Sequence, residues 1–233
     1  MYVLGIDGCR SGWIVARKEF SSNTVDEIKL ITKLGELSSD LESGKVGAVG
    51  IDIPIGVPDS GSRECDVALR KYLGPRRSSV FPEPIRITLA SDVSADYGIA
   101  RKVSLATHGK SLSIQAFNLL PKIAEADEFI RGARFQNVFE VHPEASFTAM
   151  NHDQPLVHPK KIIEGQLERR ELLERQFESL PEMLSFKTGA AQKDDIFDAI
   201  AALWSAQRWL NNEAVSFGAD QKDSAELPMQ IWV

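Results

Sequence analysis

The acidic residues of this chain fall where carboxylates can do chemistry. Asp7 closes the apolar run Tyr2–Asp7 and precedes the turn Gly8-Cys9-Arg10-Ser11-Gly12. Asp52 ends the apolar run VGAVGIDI (Val46–Ile53), ahead of the breakers Pro54, Gly56 and Pro58. Glu140 ends a third strand-like run, Phe135–Val141, and Glu144 follows just after it. Asp194, Asp195 and Asp198 open the segment Asp194–Leu210, at spacings that put them on one helix face. Taken singly, each is explained by local structure: an Asp before Gly serves a turn, and an Asp at a helix start caps it and complements its dipole. Together they say more. Carboxylates drawn from separate strands and a helix repel one another unless a cation lies between them. Hard oxygen ligands of this kind suit Mg²⁺ or Mn²⁺. Two such ions ~4 Å apart can activate water and stabilise the leaving oxygen of a phosphodiester.

Basic residues cluster elsewhere. Arg63, Arg70, Arg76 and Arg77, with Asp66, lie beside Ser78 and Ser79, and guanidinium forks suit phosphate oxygens. A solvated helix face and a loop salt bridge would use the same residues. Gln115 and Asn118 can hydrogen-bond a substrate or face solvent. His142, before Pro143, is expected to be structural rather than a proton shuttle, and His108, His152 and His158 lack ligand spacing. Cys9 and Cys65 form no CxxC or Cys/His pattern and are expected to be free thiols. Trp204 and Trp209 are expected in the core.

The elements that must position these groups follow from periodicity. Tyr2–Asp7, Gly12–Phe20 and a run from Val25 to Ile31, joined by short turns, predict an antiparallel meander. A helix is predicted around Leu34–Leu41, and Val46–Ile53 is apolar enough for a strand buried on both faces. Helices are predicted over Ser62–Leu73, Ser113–Ile130, Lys160–Phe177 and Asp194–Leu210, with a short one after His142. Pro75–Pro84 reads as irregular. The tail Leu227–Val233 fits a final strand, a core plug or a subunit contact. The order predicts a mixed sheet flanked by helices, in one domain spanning residues 1–233.

Composition narrows the classes. The 233 residues carry a net charge of −6, with 43% hydrophobic and 26% charged residues, which is ordinary for a globular chain. The acidic balance excludes coating nucleic acid by bulk positive charge. No apolar run approaches the ~20 residues of a membrane span. The start has no basic region followed by an apolar one, so no secretory signal is expected and cytoplasmic residence is.

Five stretches in order, GIDGCRSGW (5–13), IDIPIGVP (51–58), RECDVALRKYLGPRRSSVFPEP (63–84), FEVHPEASF (139–147) and KDDIFDAIAALWSA (193–206), resemble the family called domain of unknown function 429. Its members are expected to be nucleases of the ribonuclease-H-like superfamily. The resemblance implies an α/β fold: a five-stranded mixed sheet flanked by helices, with a helical insertion between strands four and five. It implies a metal-dependent phosphodiesterase using Mg²⁺ or Mn²⁺ on nucleic acid or another phosphodiester. The superfamily's first catalytic Asp on strand one matches Asp7, and the acid at the end of strand four matches Asp52. The closing acids on the last helix match Asp195 and Asp198. These four would hold metal, and Glu140 is a supplementary catalytic candidate. Many superfamily nucleases carry Glu as the second acid, where this chain has the shorter Asp52.

The 63–84 motif lies outside the superfamily's common core and is expected to give specificity. Arg63, Arg76, Arg77 and Ser78, with Gln115, are then candidate substrate contacts. Many junction-cleaving relatives are dimers, so a homodimer is compatible with the resemblance. Two other readings compete. GIDGCRSGW could serve as the phosphate turn of a sugar-kinase or actin-like ATPase, although such proteins usually pair two folds of this kind. Alternatively, the chain is a binding module that kept the fold without the chemistry.

Overall fold

Strand β1 (Tyr2–Cys9) is buried on both faces, which is why its sequence is apolar almost throughout. Val3 and Cys9 enter one core layer, and Leu4 and Ile6 the other. The computed structural model describes residues 1–133, 135–178, 180, 193–218 and 220–233. β1 pairs antiparallel with β2 (Gly12–Glu19), which pairs antiparallel with β3 (Glu27–Ile31), giving the predicted meander. A 3-10 turn over Leu34–Leu37 and the short helix α1 (Ser38–Glu42) lead to β4 (Val46–Asp52), which lies parallel to β1 on its other side.

Between β4 and β5 (Val138–Val141) the chain is helical: α2 (Glu64–Leu73), α3 (Ser91–Ser94), α4 (Tyr97–His108) and α5 (Ile114–Ala133), with 3-10 turns between α2 and α3. After β5 come α6 (Pro143–Met150), α7 (Ile163–Gln176) and α8 (Lys193–Leu210). Buried α8 residues such as Ala199 and Leu203 pack with Val3 on one face of the sheet. Ile123, Ala126 and Ile130 of α5 pack with Leu4 and Ile6 on the other. The sheet is therefore mixed and flanked by helices.

Among the described residues it has seven strands rather than the five expected. Its order is β3-β2-β1-β4-β5-β7-β6, where β6 is Ser216–Phe217 and β7 is Ile231–Trp232. Two-residue strands are too short to show any periodicity, so β6 was not predicted and a strand was only one of three readings of the tail. The tail is a strand: β7 runs parallel to β5, with Ile231 and Val233 buried. Helix α4 was also not predicted, because it buries only Ala100 and Ser104 and leaves Ile99 and Leu105 exposed. The legible sign was its cap, Asp96, whose carboxylate accepts from the Ile99 N–H at 2.9 Å. Trp209 stacks on Phe139, with ring centroids 4.9 Å apart, and belongs to the core. Cys9 and Cys65 are free and buried. No helix among the described residues is long and apolar enough to cross a membrane.

Candidate active site

β1, β4, β5 and β7 are mutually parallel, so their C-terminal ends share one edge of the sheet. In such sheets ligands gather outside that edge. Asp7 and Asp52 stand there as register partners, and the same register aligns Gly5 with Gly50 and Ile6 with Ile51. The tripeptide Gly-Ile-Asp thus occurs twice, side by side. The alternation of a strand gives each residue of the repeat a separate task. The Ile pair enters the core layer shared with α5, while the Gly and Asp pairs face α8.

The glycines set how close that helix comes. A Cβ on Gly5 would stand 2.0 Å from the Leu203 amide nitrogen and 2.1 Å from the Ala199 carbonyl oxygen; one on Gly50 would be 2.6 Å from the Ala202 carbonyl oxygen. No side chain fits at either place, and the small stripe of α8 lies directly on the strands. Asp198, next to Ala199, is thereby delivered beside Asp7 and Asp52.

The three carboxyls are poorly compensated. Burial raises the Asp7 pKa well above the ordinary carboxylate range, and the charges of Asp52 and Asp198 raise it further. Asp52 is pushed up to about 7, first by burial and then by Asp198, despite the pull of Lys160 and a hydrogen bond with Asp7. Asp198 is raised by burial, opposed by Lys160 and Arg169. The Lys160 ammonium donates to Asp198 Oδ2 at 2.6 Å. Burial favours its neutral form, but Asp198, then Asp52 and Asp7, outweigh this and keep its proton firmly bound. Lys160 thus acts on all three acids, with Arg169 adding to it at Asp198. As the side chains stand, no group of three or more His, Cys, Asp or Glu among the described residues is arranged to hold a metal ion.

Glu140 also lines the cavity above these acids, but β5 registers it against Ile51, not Asp52. Its carboxylate is held by the Arg63 guanidinium at 2.6 and 2.8 Å and accepts from the Ile55 N–H at 2.7 Å. Arg63 grips Asp66 with its other edge, at 2.9 and 2.8 Å, and donates to the Ile55 carbonyl. Arg63 is thus fully committed to Glu140, Asp66 and the chain after Asp52. From the other side Asp223 accepts from the Val57 N–H at 2.9 Å and pairs with Arg86. The chain that follows Asp52 is thus held at Ile55 and at Val57.

Of the remaining candidates, Arg76 and Ser78 line the cavity, as does Ser79. Arg76 donates from Nε to the Leu156 carbonyl at 2.7 Å, and its buried Nη2 has no hydrogen-bond partner among the described residues. Arg77 and Gln115 are exposed and outside the cavity lining. Asp195 is half-buried in the first turn of α8, also outside the lining, and its charge raises Asp7. Glu144 is salt-bridged to Arg169 and lies 3.7 Å from Arg76. His142 Nε2 lies 3.3 Å from the Ser79 carbonyl, which can only accept, so the neutral ring carries its proton there. Burial lowers the His142 pKa, and its Nδ1 has no hydrogen-bond partner among the described residues. Lys160 and Arg169, which set the electrostatics of Asp198, were missed. They lie in a strongly charged stretch, where nothing in the sequence separates an inward-facing cation from its solvated neighbours.

No curated protein and no solved structure matches the chain. The family described as "Protein of unknown function (DUF429)" matches residues 5–223, nearly the whole length and all five stretches singled out above. The chain belongs to that family.

Proposed function

We propose that the cavity is the active site of a metal-dependent phosphodiester hydrolase of ribonuclease-H-like type. One observation carries the reading: the buried Asp7 and Asp198 and the half-buried Asp52, from two strands and a helix, converge at one sheet edge, where burial and neighbouring carboxylates raise their pKa values despite Lys160. Placing carboxyls this way costs stability, and such costs concentrate where function demands them. The donor set is hard oxygen and fits Mg²⁺ or Mn²⁺. Asp7, Asp52 and Asp198 would hold the ion, which when bound supplies an activated water and charge stabilisation at the leaving oxygen. Arg76 has an unspent guanidinium nitrogen for a phosphate oxygen. His142, neutral and with Nδ1 open, can accept a hydrogen bond from the substrate. The Glu140–Arg63–Asp66 cluster is a positioning device for the Asp52 loop.

A second reading has its own observation. Lys160 already reaches Asp198 and is drawn by all three acids, so an ammonium could be their permanent counter-ion in a module that only binds. The test is incubation with Mg²⁺ or Mn²⁺ and RNA, DNA, hybrid and junction substrates. Hydrolysis that vanishes in Asp7→Asn supports the first reading. No cleavage of any substrate, or cleavage that survives Asp7→Asn, overturns it.

A further inference from the structure

The cavity has both charged and apolar lining, and its size limits what can reach the acids. Asp7 and Asp198 are only 8% and 4% exposed, at the floor of a space of about 390 Å³. That is near the lower end of the ~300–1,000 Å³ typical of small-molecule sites. Its lining combines charged residues, among them Arg76, Lys122 and Lys160, with the apolar Pro82, Pro84, Leu119 and Ile123. Phe81 lines the same cavity and is 52% exposed. Its backbone is held in place, since Arg70 Nη2 donates to the Val80 and Phe81 carbonyls at 3.1 and 3.2 Å. An aromatic ring so placed is a platform on which any nucleobase can stack. A rigid duplex, by contrast, cannot enter a space of this size unless a nucleotide leaves the stack, which costs unstacking and unpairing energy.

Resting on the hydrolase reading above, we propose that the site takes one terminal nucleotide unit at a time, with the base on Phe81 and the phosphate at the acids. The bond broken joins phosphorus to the oxygen of the neighbouring sugar, next to a free end. Water oxygen bonds to phosphorus, the departing sugar oxygen takes a proton, and a mononucleotide leaves. A single-strand end and a free dinucleotide present the same chemistry.

The test compares a linear single strand, a covalently closed single-stranded circle of the same sequence and a dinucleotide, each with Mg²⁺ or Mn²⁺. A parallel calorimetric titration uses a nucleoside monophosphate. Mononucleotide release from the linear strand, with the circle intact, supports strand ends as the source; turnover of the dinucleotide alone supports the free small diester. Phe81→Ala should weaken monophosphate binding roughly tenfold, and Phe81→Trp should restore it. Cleavage of the circle as fast as the linear strand overturns the proposal while leaving the hydrolase reading intact. Monophosphate binding that Phe81→Ala does not change overturns it as well. Binding that depends on Phe81, with no substrate hydrolysed, supports the nucleotide pocket and overturns the hydrolase reading.

Discussion

Asp7 and Asp52 are register partners on adjacent parallel strands, and both lie beside Asp198. Burial raises both pKa values, with Asp52 and Asp198 adding to it at Asp7 and Asp198 at Asp52, so folding is opposed as these groups ionise. A carboxyl whose folded pKa exceeds its unfolded value contributes most below the unfolded value and loses that contribution as pH rises through the folded one.

Asp7→Asn removes one of these charges at similar shape. In metal-free protein the variant should match the wild type near pH 4 and melt higher at pH 8, by about 2–4 °C for each kcal/mol relieved. Added Mg²⁺ or Mn²⁺ should raise the wild-type Tm by mass action and move the variant little. Thermal melts at the two pH values, with and without metal, check this. A variant less stable than wild type at pH 8 would contradict the electrostatic account.

Gly5→Ala drives a methyl group into the α8 backbone and should cost about 3 kcal/mol or more, with Gly50→Ala also destabilising. Gly35 has nothing within 4 Å of the added carbon, so Gly35→Ala should be neutral or stabilise by about 0.4–1 kcal/mol. Denaturant unfolding of the three variants measures the contrast.

Arg63→Met leaves Glu140 and Asp66 buried without their partner. Breaking such a pair should cost about 3–5 kcal/mol. Adding Glu140→Gln should recover part of the loss, because the second substitution removes a charge the first left unpaired. A double-mutant cycle reads the coupling, and strict additivity would refute it.

Glu83 is pushed up to about 9, chiefly by burial and then by a hydrogen bond with Asp66. Its proton is retained in the folded state at neutral pH, so its contribution is complete below the unfolded value and fades as pH rises towards 9. Glu83→Gln carries no titrating proton. Its Tm relative to wild type should climb steadily between pH 5 and pH 9, and parallel pH profiles would exclude the effect.

Much of the architecture was legible because it rests on local pattern. The helices of residues 64–73, 114–133 and 193–210, and the meander, follow from which residues are apolar and at what period. The strand-ending acids were legible for the same reason, since a carboxylate closing an apolar run marks the exposed end of a buried strand. Periodicity says which side of an element is buried and nothing about what meets it there. It could not tell that Asp7, Asp52 and Asp198 would share one floor while Glu140, on the next strand, would be registered against Ile51 and held by Arg63.

Nor could it single out Lys160, whose partner Asp198 is 38 residues away, or turn Arg63 from a phosphate contact into a clamp on Glu140, 77 residues away. By itself the sequence determined most of the elements, their order and the acids at the strand ends. The tertiary structure decided which charges face one another, because an ion pair depends on distance in space, and that is set by register and by how closely α8 can approach two glycines.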